Sequence, residues 1–285
     1  MAVKLIQERL DQSGATSWQE EEFVVKQIYQ EVALAALSRT DFFKKAVFQG
    51  GTALRILYTL ERFSEDLDFL LTIPDQEFTL QQYAEALREE CGAYGLPVSI
   101  QVKSKSGNTV QKMFLSQESE GMQLLLKHHL KDRRPGKIRV KIEVDTRPPA
   151  GSHHETKYLD FPFAFGVTVQ DLPSLFAGKS HALLCREYTK GRDWYDFLWY
   201  VAHKVPVNLA FLSHACHQTG PWRGRNIPIA KAWYLSEMKK KVKTIDWKEA
   251  CQDIQRFLKP HELPTLKLWS QDFFLDRIQK MASYL

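Results

Sequence analysis

Ala46-Val47-Phe48-Gln49-Gly50-Gly51-Thr52-Ala53-Leu54-Arg55-Ile56-Leu57-Tyr58, followed by Arg62-Phe63-Ser64-Glu65-Asp66-Leu67-Asp68-Phe69, is the stretch on which the reading of this chain turns. Residues 46–49 form a short apolar run that ends at two glycines, and the residues after them have helical character. This predicts a strand, a glycine turn and a helix N-terminus in succession. Glycines at such a turn let the backbone come close to a ligand, and the N–H groups of a helix start favour an anion such as a phosphate. Thr52 offers a hydroxyl to the same cradle. Residues 66–71 read as the next strand, so Asp66 and Asp68 leave one face while Leu67 and Phe69 enter a core. Two carboxylates side by side repel each other and require positive charge. Divalent ions supply it, and magnesium held by a few carboxylates plus a substrate's phosphates is the usual arrangement. An Asp-x-Asp pair alone also suits a solvated strand face, and a glycine pair alone suits any tight turn. Their joint occurrence between apolar flanks favours the chemical reading.

Outward from this stretch, Ser17 followed by Glu20 is the signature of a capping box, and Phe23, Ile28, Val32, Leu34 and Leu37 follow at roughly helical spacing. Residues 79–93 predict another amphipathic helix. Strands are expected at 98–102, in the apolar run 121–126, and most clearly at 137–145. In this last segment Ile138, Val140, Ile142 and Val144 alternate with Arg139, Lys141, Glu143 and Asp145. Residues 147–155 read as a loop. Beyond about Phe165 the pattern is almost wholly helical, at 174–184, 192–203, 208–217, 228–239, 246–258 and 266–284, punctuated by Pro206, Pro221, Pro260 and Pro264. The fold class is therefore α+β: a mixed sheet with flanking helices at 1–165, followed by a helical C-terminal domain at 166–285. The boundary falls between residues 150 and 171.

With 285 residues the chain can bury a substantial core, in one large domain or two small ones. No apolar run reaches the roughly 18 to 20 residues needed to cross a bilayer. Residues 1–10 carry Lys4, Glu8 and Arg9 in place of a signal peptide's apolar segment, so the expected compartment is the cytoplasm. Cys91, Cys185, Cys216 and Cys251 are scattered with no Cys-x-x-Cys pair, and the paired histidines at 128–129 and 153–154 diverge on any regular element. Reduced thiols are expected here, not a disulfide framework or a zinc site. A net charge of +5 permits an RNA or nucleotide partner without requiring one. Two basic runs are candidate contacts for an RNA backbone: Lys131, Arg133, Arg134, Lys137, Arg139 and Lys141, and Lys239, Lys240, Lys241 and Lys243. Trp222-Arg223-Gly224-Arg225 is a third candidate. Solvated faces and a core tryptophan account for the same residues without any such role.

Gly50-Gly51-Thr52 with Asp66-Leu67-Asp68 resembles the opening motif of the polymerase-β-like nucleotidyltransferase superfamily. More narrowly, residues 49–58 and 62–69 resemble the AbiEii/AbiGii and MenT toxin family, which includes toxins of bacterial toxin–antitoxin and abortive-infection systems. The similarity extends over about residues 46–200. It implies a polymerase-β-like mixed sheet and a third carboxylate on a neighbouring strand, which Glu143 fits best, with Asp145 on the same face in reserve. It further implies that Asp66, Asp68 and Glu143 hold one or two Mg2+ ions, and that Glu143 can take the acceptor hydroxyl's proton.

Residues 176–186 and 190–197 are similar to the family's later motifs, in which a helix lysine precedes Arg-Asp-x-Tyr-Asp. By that match Lys179 contacts the triphosphate, Asp193 is the later acid, and Asp196 is its i+3 neighbour near the nucleotide. Such an acid can hold the lysine in place or meet the base or the metal. The plain alternative is Arg192 pairing with Asp196 on an exposed helix surface. Ser64, two before Asp66, is implied close to the γ-phosphate, where some family members modify their own serine. A serine that ends a turn is the simpler account. Two departures stand out: the spacing from Thr52 to Asp66 exceeds that of the shortest superfamily motifs, and Thr replaces Ser after the glycines.

The resemblance implies transfer of a nucleoside monophosphate from an NTP to an RNA hydroxyl, the tRNA 3′ end above all, with release of pyrophosphate. It also implies the toxin of a type IV system and a cognate antitoxin. The alternatives are transfer to a protein or small molecule, and a non-catalytic RNA- or protein-binding module on the same fold. The intact set Asp66, Asp68, Glu143 and Lys179 argues against the last.

Overall fold

The structure, a computed structural model, describes residues 2–103, 109–118, 137–225 and 227–285. The chain forms two compact units. The first comprises Met1–Leu57, Phe63–Pro148 and Thr156–Val169, and the second Tyr58–Arg62, Pro149–Glu155 and Gln170–Leu285.

A seven-stranded sheet frames the first unit. Its strands are β1 (Ala46–Gln49), β2 (Asp66–Leu71), β3 (Val98–Lys103), β4 (Val110–Gln117), β5 (Arg139–Asp145), β6 (His154–Leu159) and β7 (Phe165–Gln170), in the order β3-β4-β5-β2-β1-β7-β6. The sheet is mixed: β2 runs antiparallel to β1 and parallel to β5, β1 runs parallel to β7, and β3, β4 and β5 are successively antiparallel. The α+β class with a mixed sheet is the one expected from the sequence.

The helices of this unit are α1 (Ala2–Asp11), α2 (Trp18–Ser38), α3 (Phe42–Lys45), α4 (Gly50–Leu57) and α5 (Ala84–Ala93). Ser17 caps α2 by accepting from the Glu20 N–H. The return bond of the capping box is displaced by one residue, because the Glu20 carboxylate accepts from the N–H and hydroxyl of Thr16 at 2.7 and 3.0 Å. From Val32 to Leu37 α2 is buried on all sides, which explains why its apolar positions do not keep to one stripe. The helix expected at 79–93 begins as a 3-10 turn, Leu80–Tyr83, before α5.

The sequence reading missed β4, β6 and β7; in β4 only Met113 and Leu115 are buried, too few to mark an alternation. Strand β6 is largely exposed and carries His154, Glu155, Thr156 and Lys157, so no apolar alternation marks it. Strand β7 does alternate, with Phe165, Val167 and Val169 buried, but it is short and interrupted by Gly166. The strand expected at 121–126 lies outside the described residues, as do Lys131, Arg133 and Arg134.

The second unit is helical: α6 (Leu172–Cys185), α7 (Gly191–Ala202), α8 (Leu209–Gln218), α9 (Lys231–Val242), α10 (Trp247–Gln255) and α11 (Gln271–Ala282). Asp171, Asn208, Asp246 and Ser270 each cap a following helix through a side-chain oxygen. Ser270 also explains why the segment expected at 266–284 breaks, since it starts α11 after a separate 3-10 turn, Leu263–Leu268. Trp194, Phe197, Trp247 and Phe274 form the aromatic centre, with Trp247 and Phe274 stacked at 4.1 Å. A Cβ at Gly191 would fall 1.9 Å from the Ala250 carbonyl, so α7 can approach α10 only through glycine. Among the described residues no helix is long and apolar enough to cross a membrane.

Candidate active site

Leu67 and Phe69 are almost wholly buried and fix which face of β2 is presented. Burying two such side chains contributes roughly 3 to 6 kcal/mol. Two carboxylates about 7 Å apart in partly wet surroundings repel by about 1 to 2 kcal/mol, so packing outweighs the repulsion and Asp66 and Asp68 remain on the open face. The register then builds a row across four strands. Asp68 lies opposite Gln49 of β1 on one side and Glu143 of β5 on the other, and Glu143 lies opposite Lys112 of β4. Asp66 lies opposite Lys141. Asp145 is level with Leu70, further from the pair than Glu143.

Two lysines compensate the acids. Lys141 bridges Asp66 at 3.1 Å and Glu143 at 2.9 Å, and Lys112 reaches the other Glu143 oxygen at 2.7 Å. Burial pushes the Glu143 carboxyl up, but hydrogen bonds from Lys112 and Lys141 more than offset this and hold it below the usual carboxylate range. Burial likewise works against the Lys141 ammonium, and its bonds to Glu143 and Asp66 keep it charged beyond the ordinary lysine range. Burial raises the Asp145 carboxyl. An all-oxygen set on one strand face fits a hard divalent ion. The Lys141 ammonium already occupies a cation's place between Asp66 and Glu143. Because Lys141 bridges Asp66 and Glu143, ligation of one ion by both acids requires it to yield.

The glycine turn packs directly on this face. Gly50 opens α4 at φ +82°, and a Cβ there would fall 2.8 Å from Asp68 Oδ2. Both the backbone conformation and the approach of the carboxylate demand glycine. Thr52 differs from expectation. It is fully buried, and its hydroxyl meets the Ser64 hydroxyl at 2.9 Å and the Asp66 carbonyl. The hydroxyl expected in a phosphate cradle is thus turned inward, where it ties α4 to the start of β2. Ser64 also accepts, through its carbonyl, from the buried Gln30 amide at 3.2 Å.

The second unit holds a separate ionic cluster. Lys179 of α6 bonds Asp193 at 2.7 Å and Asp196 at 2.8 Å, both on the first turns of α7. Arg62 clasps Asp196 with two bonds of 2.6 Å, and Arg186 meets Asp193. The two aspartates are buried, which raises their carboxyls, yet the facing cations outweigh burial and hold both down: Lys179 first for Asp193, Arg62 first for Asp196. These five groups comprise three cations and two carboxylates, so together they carry one positive charge in excess. Arg192 lies over the Phe257 ring at 4.1 Å, and the direct partners of Asp196 are Arg62 and Lys179. Lys190, at the start of α7, is pushed down to about 8 by burial and by the neighbouring Arg186, Arg192 and Lys179, against the pull of Asp193.

Sequence reading assigned no role to Arg62, Lys112, Arg186 or Lys190, and saw Lys141 only as part of a basic run. Its place two residues before Glu143, on the same face of β5, was the available signal for Lys141. Lys239, Lys240 and Lys243 are exposed, Lys241 donates to the Arg186 carbonyl at 2.6 Å, and Trp222 rests against Trp233 at 5.0 Å.

Residues 32–277 match the family described as nucleotidyl transferase AbiEii toxin, type IV TA system. No curated protein sequence matches. Among solved structures, a candidate nucleotidyltransferase from H. pylori aligns with 17% identity and a TM-score of 0.49, covering 90% of each chain. JHP933 from Helicobacter pylori aligns with 17% identity and a TM-score of 0.47, covering 92% of this chain and 91% of its own.

Proposed function

The chain belongs to the AbiEii nucleotidyl transferase toxin family of type IV toxin–antitoxin systems, and from that premise we infer that it transfers a nucleoside monophosphate from an NTP to an RNA acceptor, the tRNA 3′ end in particular. The observation that carries this reading is the register that sets Glu143 beside Asp68, on the face that also bears Asp66. Asp66, Asp68 and Glu143 are the residues that would hold Mg2+. A divalent ion held there would supply polarisation of the α-phosphate and charge neutralisation for the departing pyrophosphate.

The remaining work falls to the chain itself. Gly50 keeps the start of α4 free of side chain beside Asp68, so the backbone N–H groups of Gly50 and Gly51 can meet phosphate oxygens. Thr52 and Ser64 hold the β2 start in place. Lys141 balances the acids until substrate and ion arrive. Glu143, held below the usual carboxylate range, suits the role of ligand better than that of general base. Lys179 neutralises phosphate charge, and Asp193 and Asp196 act through it by fixing the ammonium. The family implies a cognate antitoxin as partner.

Incubating the protein with Mg2+, each α-labelled NTP in turn and total tRNA, beside Asp66→Ala, tests this. Label in tRNA that the variant fails to produce is the expected result. Label in protein or small molecules alone moves the acceptor, and no transfer from any NTP removes the enzymatic reading.

A further inference from the structure

We propose that His181, Cys185 and Cys216 form a zinc-binding site within the helical unit, made of residues that nucleotidyl transfer does not use. Sequence spacing conceals it. His181 and Cys185 are four apart on α6 and so share a face, while Cys216 comes from α8, which packs against α6. The imidazole nitrogen and the two sulfurs all lie within 4.8 Å of one another, the only such trio of metal-ligating side chains among the described residues. In a tetrahedral zinc site the same atoms stand about 3.6 to 3.8 Å apart, so closure needs at most about 1 Å of approach between any two of them.

The surroundings fit an ion. Gly220, at φ +87°, passes so close that a Cβ would fall 2.7 Å from Cys185 Sγ and 4.0 Å from His181 Nε2, and its lack of a side chain leaves that space open. The Thr219 hydroxyl lies 3.2 Å from His181 Nε2 and the Thr219 carbonyl 3.5 Å from it, so with Nε2 as the ligand Thr219 offers an oxygen for a fourth position. His181 and Cys185 are partly exposed and provide an entry path, whereas Cys216 is buried. Two thiolates and an imidazole, with no carboxylate, select zinc over the hard ions suited to β2 and β5. Binding Zn2+ releases the protons of the Cys185 and Cys216 thiols to solvent, and no electrons move.

The test uses the full chain, kept reduced and stripped of metal by a chelator, with Co2+ as spectroscopic probe and Zn2+ as competitor. The expected result is a near-ultraviolet thiolate-to-cobalt absorption that saturates at one ion per chain and is abolished by zinc. Cys185→Ser and His181→Asn should weaken both metals by more than about 100-fold, beyond the effect typical of outer-shell partners. Cys251→Ser should leave the absorption unchanged. These two ligand variants carry the test even where replacing the buried Cys216 prevents folding. Absence of the absorption from folded wild-type protein overturns the proposal, as does equal binding by the ligand variants. So does a Cys185–Cys216 disulfide in air-purified protein that takes up no metal after reduction. None of these readouts depends on nucleotidyl transfer, so this site and the proposed reaction can fail separately.

Discussion

Arg62 closes a two-point ion pair on Asp196, Nε to Oδ1 and Nη2 to Oδ2, both at 2.6 Å, across 134 residues of sequence. Both partners are enclosed, with side chains 3% and 0% exposed. Removing one partner of such a pair leaves a buried charge with less compensation and typically costs 3 to 5 kcal/mol. Arg62→Ala is therefore expected to destabilise the helical unit by about 3 kcal/mol, the low end of that range because Lys179 still faces Asp196. Arg62→Lys keeps the charge but loses the fork, and should fall between the two. Urea unfolding followed by tryptophan fluorescence measures both, and an Arg62→Ala midpoint equal to wild type would refute the assignment.

Gly50→Ala tests the contact between the glycine turn and the acid face. The left-handed conformation costs an L-residue about 1 to 2 kcal/mol, and the new methyl drives Asp68 aside. Displacement of a reacting group by about 1 Å commonly costs 100-fold in rate. The expected outcome is a folded protein with transfer reduced about 100-fold, checked by steady-state kinetics beside a melting curve.

Lys141→Met removes the cation that bridges Asp66 and Glu143. With the competitor gone, the acids should bind Mn2+ about tenfold more tightly in the absence of nucleotide, a gain of about 1.4 kcal/mol after solvent screening. Electron paramagnetic resonance titration reads this directly. Unchanged or weaker Mn2+ binding argues that the lysine does not stand in the ion's place.

Lys190 sets a pH dependence. Burial first, then neighbouring cations, lower it to about 8, whereas in the unfolded chain it keeps the ordinary value of 10.5. Between those values the unfolded state binds more protons, so stability climbs as pH rises through the window from 8 to 10.5. Below 8 both states are charged and the burial penalty is present in full. Lys190→Met should be more stable than wild type at pH 7 and show a flatter rise above pH 8. Parallel wild-type and variant curves from pH 7 to 10 would contradict the burial.

How much of this was legible in the sequence varied by element. Alternating β5 and the Gly-Gly and Asp-x-Asp signals of β1, α4 and β2 were readable because local periodicity and short motifs fix them. Choosing Glu143 over Asp145 required register, since both residues share a face and only the β2–β5 pairing sets one of them level with Asp68. Strand β6 was not readable, because an exposed edge strand needs no apolar face. Arg62, Lys112 and the joining of Cys216 to His181 and Cys185 were invisible for a different reason: the partners are distant in sequence, and spacing carries no record of helix–helix or strand–strand contact.

Nucleotidyl transfer measured across a Mg2+ titration, for wild type beside the isosteric Asp68→Asn and Glu143→Gln, bears most directly on the acid face as the seat of the reaction. Wild type should require the divalent ion, and each variant should lose at least about 1,000-fold in rate, close to 4 kcal/mol of transition-state stabilisation, while remaining folded. Transfer at the wild-type rate by Asp68→Asn, or undiminished transfer without any divalent ion, would contradict the account.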